Sequence, residues 1–192
     1  MKTVFYCHLV LVSIWAQGLF AQANFFLNNG RLVQAPVFDA QGVPLAGPAY
    51  LAELWGGASS NSLAPLRVSC GPNRLIIPFR SNGLFGNGVS QLCVCDVPPH
   101  GWAWLEVRAW EADLGATYEK VAALGVGGYG ESALFYAQGG DPSDMLGLPG
   151  DLIGLRSFSL LPVVPEPSTW ALLAIGGLGL GWAVRRKRRE AP

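Results

Sequence analysis

Trp102–Glu111 reads WAWLEVRAWE, the clearest alternation of side-chain types in the chain. Small and aliphatic residues occupy one set of positions, and aromatic or charged residues occupy the other. The first set is Ala103, Leu105, Val107 and Ala109, and the second is Trp104, Glu106, Arg108 and Trp110. Because successive side chains of a strand point to opposite faces, the stretch predicts a strand with its aliphatic face in the core.

The chain on either side of this stretch is divided by glycine and proline into short segments, which favours many short strands. Further strands are predicted at 49–55, 74–79, 88–97, 133–137 and 155–161, with a strand end and turn at 25–30. Residues 37–47 predict a turn in which Gly42 takes a positive φ. One helix is predicted at 117–124. Seven or eight strands in about 145 residues predict an all-β, antiparallel β-sandwich of immunoglobulin or prealbumin type.

The phrase Val37–Leu54 has the spacing D-x-x-G-x-P-L-x-G-x-x-Y-x-A-x-L. It resembles the opening of surface-protein repeat domains of the Cna-B kind, and the body resembles those of other exported proteins. Both resemblances imply a β-sandwich and are used only for that class.

The amino-terminal segment 1–23 has the pattern of a secretory signal peptide. Lys2 supplies a positive charge, an apolar stretch follows, and Ala21-Gln22-Ala23 has the small-x-small pattern of a cleavage site. The pattern predicts cleavage by signal peptidase after Ala23 and export of a domain at 24–161.

The carboxyl end has three parts in a fixed order. A proline-rich linker at 162–169 contains Pro165, Glu166 and Pro167, and an apolar run follows at 170–184. The tail at 185–192 begins with five cations: Arg185, Arg186, Lys187, Arg188 and Arg189. The run predicts a single transmembrane helix, and the cations, which cannot enter hydrocarbon, predict a stop with the basic end in the cytoplasm. Fifteen helical residues span only about 22 Å of a hydrocarbon core of about 30 Å, which suits a temporary anchor.

This three-part end resembles the PEP-CTERM sorting tail of exported bacterial proteins. The resemblance implies processing by an exosortase, a membrane-embedded transpeptidase-like enzyme, close to Pro165-Glu166-Pro167. It also implies a precursor held in the membrane facing the periplasm, and a destination at the cell surface or in a polysaccharide matrix. A sorting tail reports an address, and the activity of the body is a separate question.

The exported part, 24–168, carries seven basic and twelve acidic side chains, a net charge of about −5. Nucleic acids and anionic lipids both require a cationic face on their protein partner. The charge therefore argues against both classes of partner.

The body offers little catalytic chemistry. His100, the only histidine outside the signal peptide, lies in a Pro-Pro-His-Gly turn, and no G-x-S-x-G motif is present. A hydrolase would have to use His100 or the acidic group Glu106, Glu111 and Asp113, and nothing in the sequence fixes their separation. We predict no enzyme activity, no catalytic residues, no cofactor and no metal site.

Three cysteines remain in the body. In an oxidising compartment the expected state is a disulfide of Cys70 with either Cys93 or Cys95, leaving one thiol over. A zinc site that adds His100 to the three cysteines is the alternative, although its spacing lacks the usual C-x₂₋₄-C.

Trp102, Trp104 and Trp110 could form a platform for stacking sugar rings if they share an exposed face. The alternative is that they cover a second layer of the sandwich, as large aromatic residues usually do. The sequence predicts a surface or matrix protein with a structural or interaction role, and glycan binding is the alternative function.

Overall fold

The computed structural model describes residues 22–143 and 147–164, and only the backbone of 87–90. Within these residues the chain forms eleven strands, a 3₁₀ turn at Ala112–Leu114 and one α-helix, α1 at Tyr118–Leu124. The strands are β1 Ala23–Asn28, β2 Val37–Phe38, β3 Tyr50–Gly57, β4 Ala64–Pro65, β5 Arg67–Val68, β6 Ile76–Ser81, β7 Leu84–Val94, β8 Trp102–Glu111, β9 Tyr129–Glu131, β10 Phe135–Gln138 and β11 Phe158–Ser159.

Nine of these strands make one antiparallel sheet, in the order β1-β7-β6-β3-β8-β10. Strand β4 pairs with β3, β5 with β7 and β9 with β8, while β11 and β2 form a small parallel pair. The two ends of the strand order meet at an isolated antiparallel bridge between Asn24 and Gly140. The sheet therefore curls around a common interior.

The interior is lined by the aliphatic face predicted from the sequence. In the β3–β8 register Ala52 faces Ala109 and Leu54 faces Val107, and all four side chains are fully buried. Phe25, Leu27, Leu92 and Val94 from β1 and β7 belong to the same core cluster. Burial of each large apolar side chain contributes about 1.5–3 kcal/mol, so this cluster holds the curled sheet together.

The β6–β7 hairpin turns at Asn82 and Gly83, which both have positive φ, 53° and 73°. Consecutive positive φ values are typical of the type I′ turn, for which Asn-Gly is the preferred pair. A Cβ atom on Gly83 would lie 2.5 Å from the carbonyl oxygen of Val37. The position therefore requires glycine for both its conformation and its space.

The predicted class is confirmed in its coarser form, a mostly β chain with an antiparallel sheet. Strand pairing runs unbroken through β6 and β7, and an immunoglobulin-like fold is not confirmed. The predicted helix is present, and Gly125 ends it with φ 69°. Gly42 has the predicted positive φ, 81°.

The five further predicted strands all have somewhat different bounds, and two of them differ most. The strand expected at 155–161 is only Phe158–Ser159 long, because a turn joins Leu155 N–H to Leu152 O and Gly154 takes φ 106°. The strand expected at 88–97 is β7, 84–94. It starts after the Asn82-Gly83 turn and ends where Val97 N–H bonds back to Val94 O.

Both ends of the described fold overlap segments predicted to be processed. Ala23, at the predicted signal cleavage point, is buried in β1, and its N–H donates to Val97 O at 2.9 Å. At the other end, Val164 N–H donates to Val126 O at 2.7 Å, although 162–169 was predicted to be a spacer. The predicted spacer therefore packs against the body at least as far as Val164.

Several predictions fall outside the described residues. They concern most of the signal peptide with Ala21, the motif at 165–167, the transmembrane helix at 170–184 and the basic tail. Within 22–143 and 147–164, no helix has the length and apolar character needed to span a membrane.

Candidate functional site

The side of β3, β8 and β10 that faces away from the core forms one continuous surface, the outer face. Its register is fixed by pairs such as Glu53 with Arg108 and Tyr136 with Trp104. Along β8 this face presents, in order, exposed aromatic rings, a cluster of ion pairs and a tryptophan beneath α1.

The first zone, the aromatic strip, consists of Trp102, Trp104 and Tyr136. The Trp102 and Tyr136 rings stack with centroids 5.3 Å apart and planes at 24°, and Trp104 lies 5.1 Å from Tyr136 at 41°. Trp102 is nevertheless 51% exposed and Tyr136 49% exposed. The strip therefore offers rigid apolar surface to solvent at the edge of a well-ordered sheet.

The second zone is an ion-pair cluster around Glu53, which is 0% exposed. Arg74 binds the Glu53 carboxylate through two hydrogen bonds, of which Nε to Oε1 measures 2.5 Å. The indole Nε1 of Trp55 donates to Glu53 Oε2 at 3.0 Å. Arg74 also donates from Nη1 to Glu119 of α1 at 3.0 Å. The buried carboxylate is thus fully engaged.

Arg108 connects this cluster to the aromatic rings. Its Nε donates to Glu106 Oε1 at 2.5 Å, and its guanidinium carbon lies 3.8 Å from the centre of the Trp55 ring. The same carbon lies 4.9 Å from the Tyr118 ring. Cation–π contacts of this kind hold an arginine and an indole in one geometry.

Burial and these contacts shift the pKa values of Glu106, Arg74 and Glu119. Burial raises the pKa of Glu106, against the opposing effect of its hydrogen bond with Arg108. The hydrogen bond to Glu53 raises the pKa of Arg74 above its ordinary range. Although burial by itself acts upward, the hydrogen bond from Arg74 brings the pKa of Glu119 below its usual value. Arg74 therefore stays charged and compensates the carboxylates of Glu53 and Glu119.

The third zone corrects the predicted glycan platform. Trp110 lies on the outer face, as the alternation predicted, but it is 0% exposed. Tyr118 of α1 covers it edge to face with ring centroids 6.3 Å apart, and its Nε1 donates to Gly115 O at 2.9 Å. Trp110 is therefore not part of an exposed aromatic surface, and the third ring beside Trp102 and Trp104 is Tyr136.

The residues considered for a hydrolase are not all brought together. His100 precedes β8 and lies 3.9 Å from Asp141, whereas Glu111 ends β8. Ten strand residues separate them by on the order of 30 Å. Glu106 is buried against Arg108. Burial, and then the charges of nearby Asp113 and Asp39, raise the pKa of Glu111, so these acids gather at the end of β8 away from His100.

The three thiols do converge. Burial raises the pKa of Cys70, and neighbouring Cys93 and Cys95 raise it further through hydrogen bonds. All three are free in the structure; Cys93 is buried and Cys95 is exposed. Both predicted partners thus lie beside Cys70, and the choice between them stays open. No group of three His, Cys, Asp or Glu in the described part of the chain could hold a metal ion.

Two functional features were missed by the sequence reasoning. Tyr136 could have been assigned to the outer face, because it lies between Phe135 and Ala137 in a predicted strand. Its pairing with Trp104 could not, because that depends on which strands are neighbours in the sheet. The Glu53–Arg74 pair joins residues 21 positions apart and left no local signal.

Comparison with known proteins concerns the end of the chain. The model of the PEP-CTERM protein-sorting motif matches residues 163–188, which confirms the predicted sorting tail. The motif implies an exported, membrane-anchored precursor whose sorting depends on an exosortase. No curated protein and no solved structure matches the chain.

Proposed function

We propose that this chain is an exported envelope or matrix protein whose β body is a non-catalytic module that binds neutral polysaccharide through the aromatic strip. In this proposal signal peptidase removes 1–23, and the apolar run at 170–184 holds the body on the periplasmic side. An exosortase then acts near Pro165-Glu166-Pro167 and delivers the body to the surface or matrix.

The observation that carries the binding function is the exposed stack of Trp102 on Tyr136. Large aromatic residues are usually buried, and an exposed cluster of them marks a contact surface. The C–H-rich faces of sugar rings match such a surface without needing charge on either partner. A neutral polysaccharide also suits a body with net negative charge, because it brings no repulsion.

The strip is preorganised for this role. Gln138, opposite Trp102 in the β8–β10 register, donates from Nε2 to His100 O at 2.9 Å and closes the end of the strip. Trp104 fills the other side of Tyr136. Because the rings are already ordered by each other, binding costs little additional side-chain entropy.

We expect Trp102→Ala and Tyr136→Ala each to weaken binding to a neutral polysaccharide about two- to tenfold. This range corresponds to about 0.5–1.5 kcal/mol for one ring contact. Binding of the wild-type body is measured by tryptophan-fluorescence titration with soluble glucans, mannans and galactans. The variants are then measured by affinity electrophoresis in the same polymer.

Ile153→Ala is the matched control, since Ile153 is an exposed apolar residue outside the strip. It should bind as the wild type does. Equal binding by all three variants, or no binding of the wild type to any polymer in the panel, would reject the aromatic strip as a glycan site.

A further inference from the structure

A cleft of about 330 Å³ lies between the loop that follows β1 and the β6–β7 hairpin. Its lining includes Asn28, Arg31, Arg80, Ser81, Leu84 and Gly86. None of these residues belongs to the outer face. The cleft is therefore a second candidate site, built from different elements.

Asn29 fixes the walls of the cleft. It is fully buried, and its Nδ2 donates to Ala35 O at 2.7 Å and to Gly83 O at 2.9 Å. Its Oδ1 accepts from Phe85 N–H at 2.7 Å. One side chain thus ties the loop carrying Arg31 to the hairpin carrying Arg80, so that both arginines stand on a rigid frame.

The space between these walls depends on a glycine. The pairing of β1 with β7 shifts its register between Phe26 and Asn28, and Asn28 then faces Gly86. Gly86 has φ 139°, and a Cβ atom there would lie 2.6 Å from Asn28 Cγ. The irregularity lets the Asn28 side chain pack directly against the backbone of Gly86, so a residue with a Cβ atom would collide with this wall of the cleft.

The two arginines of the cleft are held less tightly than Arg67, Arg74 and Arg108. Arg74 and Arg108 are bound to carboxylates, and Arg67 donates to Pro72 O at 2.5 Å. Arg31 forms an ion pair with Asp151 at 3.7 Å, longer than a hydrogen bond, and its guanidinium carbon lies 4.9 Å from the centre of the Phe26 ring. Arg80 is exposed and has no carboxylate within 4 Å among residues 22–143 and 147–164. The cleft is therefore lined by Arg80, which has no carboxylate partner among the described residues, and by Arg31, which is held only by a long ion pair and a ring contact.

We infer that this cleft binds a single carboxylate carried on a sugar ring, such as a uronic acid unit. The planar guanidinium matches the two oxygens of a carboxylate. Ser81 and the Asn28 side chain add polar groups for ring hydroxyls, and Leu84 adds apolar surface for a ring face. The net negative charge of the body disfavours a densely charged polyanion, so one anionic unit is the expected ligand.

The test uses the exported body with glucuronate as the probe and glucose and inorganic sulfate as comparison ligands. Binding is followed by NMR chemical-shift titration at two salt concentrations. We expect glucuronate to shift amides of 28–31 and 80–86 and to bind more weakly at high salt. Arg80→Gln and Arg31→Gln should each weaken glucuronate binding about tenfold or more, as expected for loss of a charge-assisted contact.

Arg156→Gln is the matched control, because it removes an exposed arginine outside the cleft. It should leave glucuronate binding unchanged, and Trp102→Ala should do the same, which separates this inference from the proposed function. Arg80 is exposed, so its variant should fold, and a thermal melt checks this. Equal affinity for glucose or sulfate, or an unchanged affinity in Arg80→Gln, would overturn the inference.

Discussion

Replacement of Trp110 by alanine is expected to lower the free energy of unfolding by about 3–5 kcal/mol, the range for removing a buried tryptophan. Trp110 is among the largest fully buried side chains, and it forms a small core with Tyr118 and Val121 beneath α1. Its loss leaves a cavity and an unpaired Gly115 carbonyl, because Nε1 no longer donates to it. Urea unfolding followed by circular dichroism measures the change.

Trp102→Ala is the matched control for this prediction. It makes the same substitution on the same strand and face, but at a position that is 51% exposed. Trp102→Ala should lower the free energy of unfolding by about 1 kcal/mol or less, as for other exposed substitutions. Similar losses in the two variants would show that α1 does not cover Trp110 as described.

Glu53→Ala is expected to lower the free energy of unfolding by about 2–4 kcal/mol. Breaking a buried ion pair costs about 3–5 kcal/mol when the partner is left uncompensated. Arg74 is partly exposed and keeps Glu119 as a second partner, which reduces the expected loss. The indole N–H of Trp55 also loses its acceptor. Urea unfolding again gives the value.

Glu119→Ala removes the other carboxylate bound to the same arginine, and Glu119 is 43% exposed. Its expected cost is only about 0.2–1 kcal/mol, as for surface ion pairs. A double-mutant cycle of Glu53 with Arg74 should then give a larger coupling free energy than a double-mutant cycle of Glu119 with Arg74. If the two cycles gave equal couplings, the buried role of Glu53 would be wrong.

The part of the fold that could be predicted is the part governed by local sterics. Trp102–Glu111 is a strand with the predicted bounds, and its aliphatic residues are in the core. The helix at 118–124 also followed from local spacing, and the structure shows that Gly125 ends it. The missed strand ends depended on turns whose hydrogen bonds the alternation pattern does not encode.

The candidate sites depended on contacts between distant segments. Alternation placed Trp102 and Trp110 on one face, but only the return of α1 over the sheet buries one and leaves the other exposed. Asn29 was predicted to lie in a turn, and its hydrogen bond to Gly83 spans 54 positions of the chain. No periodicity in the sequence contains such a contact.

The sorting tail was predictable for a different reason. Its three parts are contiguous in the sequence, and each can be recognised from its own composition. They are a proline-rich spacer, an apolar run and a block of cations. The motif needs no tertiary contact to be recognised. The body carries no comparable linear pattern, so its function had to be argued from packing.

The most direct test of the account is mass spectrometry of the two ends of the native protein isolated from the producing cells. The account predicts a chain that lacks the signal sequence and ends near Pro165-Glu166-Pro167, without 170–192, and predicts that cells lacking the exosortase retain the tail. A cytosolic protein with both ends intact in exosortase-containing cells would contradict it.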